Sequence, residues 1–80
     1  MKFTMYVKDN NMMDTINLTA ENEEEALYIF IDEKLQLIKG IKYVNDFRKE
    51  LYNDFDKFLV NLETKNRTIL NKDVMVKKIP

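Results

Sequence analysis

TINLTAENEEEALYIFI, residues Thr15 to Ile31, is the stretch in which the chain exchanges one periodicity for another. Ile16, Leu18 and Ala20 alternate with Thr15, Asn17 and Thr19, the period-two pattern of a strand with one buried face. At Asn22 the pattern changes. An asparagine three residues before Glu25 has the form of a helix cap with an acidic reciprocal partner, and Glu23, Glu24 and Glu25 occupy the first turn, where the positive end of the helix dipole favours them. Leu27, Phe30, Ile31, Leu35 and Ile38 then recur at helical spacing, while Ile29 points the other way. Lys34 and Lys39 lie toward the negative end, and Gly40 is placed to stop the helix in a left-handed conformation. The reading is a strand followed by a helix over about 23–39.

Working outward toward the N-terminus, Phe3, Met5 and Val7 alternate with Lys2, Thr4, Tyr6 and Lys8. Asp9, Asn10 and Asn11 are turn formers, so the first twenty residues read as a β-hairpin. Toward the C-terminus, Ile41 to Val44 reads as a connector, and Asn45 as the cap of a second, longer helix reaching Lys65. Val44, Phe47, Leu51, Phe55, Phe58 and Leu62 form its buried stripe, with Tyr52 and Leu59 on the flank. Asn66 ends it. Thr68 to Leu70 and Val74 to Ile79 read as strand structure turning at Asn71 to Asp73. The expected fold class is α+β: one domain spanning 1–80, with an antiparallel sheet of three to four strands and two helices on one face. The element order is β-β-α-α-β, with or without a further β. Lys2, Lys8, Lys77 and Lys78 are expected to guard the edges of that sheet.

Composition limits the chemistry. The 80 residues include no histidine, cysteine, serine or tryptophan, so the usual nucleophiles and the usual general base are missing and an enzyme is not expected. The absence of cysteine excludes disulfides and thiolate metal sites. No charged start leads into a long apolar run, and no stretch approaches the length of a membrane span. A cytoplasmic protein without membrane contact or cofactor is therefore expected. Nine asparagines and eleven lysines beside two arginines match the bias of AT-rich coding seen in many low-GC bacteria and their phages.

Thr19 to Leu27, TAENEEEAL, resembles a local pattern of small bacterial and phage proteins, including the DpnD/PcfM type from mobile elements, in which a strand ends in an Ala-x-Asn-x-Glu-Glu-Ala helix start. Asn22, Glu24, Glu25 and Ala26 match it. The resemblance covers about 25 residues, from the end of the strand to the middle of the first helix, and implies a fold fragment without catalytic residues. The long aromatic helix does not follow those proteins. In size, compactness and acidic surface the chain is also similar in character to anti-CRISPR and other anti-defence proteins, which are viral proteins of phages.

Two regions are candidate sites. Between Asp9 and Glu33 stand eight carboxylates with no lysine or arginine among them. Glu21, Glu23, Glu24, Asp32 and Glu33, with the outward Ile29, could form a docking surface for the basic groove of a host protein, because clustered carboxylates attract Lys/Arg-rich partners and speed their encounter. The same residues also serve capping and solvation. On this reading the protein is a non-enzymatic inhibitor or adaptor, encoded by a phage or mobile element, that docks on host machinery such as a defence nuclease. The alternative uses the basic C-terminal region. Lys65, Arg67, Lys72, Lys77 and Lys78 against Asp73 alone leave a net of plus four from Lys65 to Pro80, which suits a small nucleic-acid-associated regulatory protein. Asp46, Glu50 and Asp54 have the oxygen ligands of a hard-cation site, but one helix cannot surround an ion and Lys57 lies on the same side, so no metal is expected.

Overall fold

A computed structural model describes all 80 residues. Strands β1 (Lys2–Asp9) and β2 (Met12–Thr19) form the first hairpin. Asn10 and Asn11 close it with φ of 48° and 66°, both positive as a type I′ turn requires, and asparagine tolerates that region better than most residues. Helix α1 (Glu23–Ile29) opens with the Asn22 side chain accepting the Glu25 amide at 2.8 Å. It runs into a π-helical turn, Phe30–Lys34, and then α2 (Leu35–Lys39). The wide turn, in which the Leu35 amide reaches back to the Phe30 carbonyl, keeps Phe30, Ile31 and Leu35 all fully buried. Helices α3 (Ile41–Asn53) and α4 (Phe55–Lys65) follow, then β3 (Arg67–Asn71) and β4 (Val74–Ile79).

The sheet is wholly antiparallel in the order β2-β1-β4-β3, so a fourth strand is present and the second hairpin forms. Its inner face presents Phe3, Met5, Val7, Leu70, Val74 and Val76 to Leu27, Phe30, Leu35, Val44, Phe58 and Leu62, in one continuous core. All helices lie on that face. The other face is open. No helix is long and apolar enough to cross a membrane.

Four local expectations are corrected. No connector precedes the second helix, because Gly40, at φ 83° and ψ 160°, turns the chain sharply enough for α3 to start at Ile41; Asn45 lies inside the helix rather than capping it. Gly40 stops α2 from this extended positive-φ region, not from the left-handed helical one. The long helix is broken at Asp54 between α3 and α4, beside Asn53, two residues whose side chains compete with helical hydrogen bonds. Finally, Lys2, Lys8, Lys77 and Lys78 do not guard edges. β1 and β4 are the two central strands, and β2 and β3 form the edges.

Candidate functional site: an acidic face with stacked tyrosines

The first helix places its carboxylates unequally. Glu21, Glu24 and Glu33 are exposed and make no ion pair within the molecule. Glu23 is buried on the sheet side, where the Lys78 ammonium donates to Oε2 at 2.7 Å. That hydrogen bond, together with the backbone amide of Glu23 itself, holds the carboxyl below the usual glutamate range despite partial burial. Ile29 is half-buried, and Asp32 lies on the outer side of the π-helical turn.

Asp32 is the centre of a small polar and aromatic cluster. The Tyr52 hydroxyl donates to Asp32 Oδ1 at 2.6 Å, and Arg48 Nε stands 3.9 Å from the same oxygen. Burial, then the hydrogen bond to Asp32 and its charge, raises the Tyr52 phenol well above the ordinary tyrosine value. Tyr28, one helical turn before Asp32, stacks on Phe55 with ring centroids 4.4 Å apart, and Tyr52 lies 6.0 Å from Tyr28. Tyr28 remains 41% exposed, so an aromatic ring held rigid from behind faces solvent among Glu24, Asp32 and the neighbouring carboxylates. Arg48 Nε is buried without a hydrogen-bond partner.

Of the residues expected at an acidic docking surface, Glu21, Glu24, Asp32 and Glu33 are all exposed, Glu24 and Asp32 lie one turn to either side of Tyr28, and Glu23 is turned away. Tyr28 and Arg48 were not anticipated at this surface, and Tyr52 was expected on the flank of the second helix's buried stripe rather than beside Asp32. A tyrosine at the helical spacing between Glu24 and Asp32 was the signal available for the first of them. No cavity opens on this face; the three depressions in the surface lie along the sheet and its β3 edge. No three carboxylates come together closely enough to hold a metal ion, and Asp46 is paired instead with Lys42 at 3.6 Å.

The basic residues divide as well. Lys65 and Arg67 flank the groove beside β3, Lys72 is exposed in the second hairpin turn, and Lys77 faces out from β4. Lys78, one residue further on, faces inward to Glu23 and leaves that group. No protein-family model matches the chain, and no curated protein or solved structure matches it.

Proposed function

We propose that this chain is a non-enzymatic binding protein, an inhibitor or adaptor of the kind that phages and mobile elements encode, acting in the cytoplasm of a host cell on a protein with a basic groove. A defence nuclease is one such target. The observation that carries the reading is the exposed Tyr28 ring, stacked on Phe55 and one helical turn from both Glu24 and Asp32. Tyrosine provides large, rigid contact area at small entropic cost, and interface anchors are enriched in it. The free carboxylates add steering toward cationic partners, and a flat face without a cavity suits a protein partner better than a small substrate.

The test is a pull-down from bacterial lysate with and without nuclease, repeated with a variant carrying Glu21→Lys, Glu24→Lys and Glu33→Lys, which leaves Asn22, Glu23 and Asp32 intact. A nuclease-resistant protein partner is expected to bind the parent at low salt, release as salt rises, and fail to bind the variant at an unchanged melting temperature. Equal capture by the variant, or a partner that nuclease removes, would overturn the reading.

A further inference from the structure

The open face of the sheet carries a second surface of opposite sign. Strand pairing aligns Arg67, Lys77, Thr4 and Asn17 in one row across β3, β4, β1 and β2, and Ile69, Met75, Tyr6 and Thr15 in the next. The first row is cationic and polar. The second is apolar with one aromatic ring at its centre. Lys2 and Lys8 project from the same face of β1, and no aspartate or glutamate occupies an outward strand position.

At the β3 edge this face runs into a groove of about 410 Å³ between the strand and α4, lined by Lys57, Asn61, Lys65, Arg67, Thr68 and Ile69. Residues 57, 61 and 65 recur every four positions, so they share one side of α4. None of Lys57, Lys65 and Arg67 forms an ion pair within the molecule. Thr68, between Arg67 and Ile69, turns inward beside Val76: it is 2% exposed, and its hydroxyl is buried with no hydrogen-bond partner.

We infer that this groove and the adjoining sheet face bind the backbone of a single-stranded nucleic acid. Phosphates follow Lys57, Lys65, Arg67 and Lys77, and the bases lie on the row of Ile69, Met75 and Tyr6. Charge complementarity selects a polyanion. The pairing of a cationic row with an aromatic and apolar row two residues along the same strands selects nucleic acid over an acidic polypeptide, since bases stack on aromatic rings whatever their identity and acidic side chains do not. The sheet face lies away from the helices and the groove is bounded by α4 rather than by α1, so this binding and the protein docking proposed above succeed or fail separately.

The experiment is fluorescence anisotropy with a labelled oligothymidylate, with polyglutamate and a mixed-sequence duplex as competitors. Binding is expected to weaken with salt at a log–log slope of about −0.7 per phosphate contacted, or roughly −3 for four contacts. Lys65→Glu with Arg67→Glu should weaken it at least about tenfold, and Tyr6→Leu about fivefold or more, the loss of one stacked base. Lys49→Glu, exposed on α3 away from the sheet, should change it little, and melting temperatures check that each variant folds. Failure to bind, retained affinity in the Lys65/Arg67 variant, or competition by polyglutamate or duplex equal to that of unlabelled oligothymidylate would each overturn the inference.

Discussion

At the scale of single residues, Glu23 shows how one carboxylate can be taken out of a charged surface by a partner 55 positions away. Its place in the first turn of α1 satisfies the helix dipole, and its bond to Lys78 ties that helix start to the last strand. Because the folded protein holds this carboxyl below its ordinary value, the stabilisation is fully present above the unfolded-state value, near pH 4.3, and is lost as pH falls through the lower folded value. Glu23→Gln is expected to lower stability at neutral pH by no more than about 1 kcal/mol, the range of partly exposed ion pairs. The difference in melting temperature between parent and variant should stay constant from pH 5 to 8 and shrink below pH 4. A difference that persists unchanged at pH 3 would show that packing, not charge, holds Glu23 in place.

Among the elements, the corner between α2 and α3 depends on one residue. The Gly40 amide donates to the Gln36 carbonyl at 2.9 Å while its own carbonyl accepts the Val44 amide at 3.3 Å, so it closes one helix and opens the next. Its φ of 83° with ψ of 160° lies in a region nearly reserved for glycine, although an added Cβ would meet no atom within 4 Å. Backbone strain alone therefore sets the effect of Gly40→Ala, expected at about 1 to 3 kcal/mol of lost stability in urea unfolding. Strand and helix periodicity made the first hairpin, α1 with its Asn22 cap and the Asn66 stop readable from the chain. The break at Asp54 was not readable, because Phe47, Leu51, Phe55, Phe58 and Leu62 keep helical spacing straight through it. Strand order was hidden for another reason. The pairing of β1 with β4 joins the two ends of the chain, and no local pattern encodes it, so the lysines of the central strands read as edge protection. The site shared that limit: its carboxylates were visible, but the partners that bury Glu23 and occupy Asp32 come from distant segments.

For the molecule as a whole, the chain's small net charge of −1 conceals a separation of sign: carboxylates on the first helix and cations on the open sheet face. The two layers are fastened at one end by Lys39. Its ammonium lies 3.4 Å from Asp9, which borders the first hairpin turn, 3.9 Å from Asp73 in the second turn, and 5.0 Å from the centre of the Tyr43 ring. The Tyr43 hydroxyl in turn accepts from Asn71 at 3.1 Å, so the α2–α3 corner holds both hairpins at once. Removing only the cation leaves two carboxylates facing each other around a largely buried stem. Lys39→Met, which keeps the stem, is therefore expected to lose about 1 to 2 kcal/mol after allowance for the partial exposure of both aspartates. The loss should not be uniform. The amide of Lys8, which donates to the Asp73 carbonyl at 2.8 Å and joins the two turns, should exchange with solvent faster by a larger factor than the amides of Met5 and Val76 in the middle of the sheet. An equal increase at all three would mean that Lys39 stabilises the domain globally and does not clamp the ends of its hairpins.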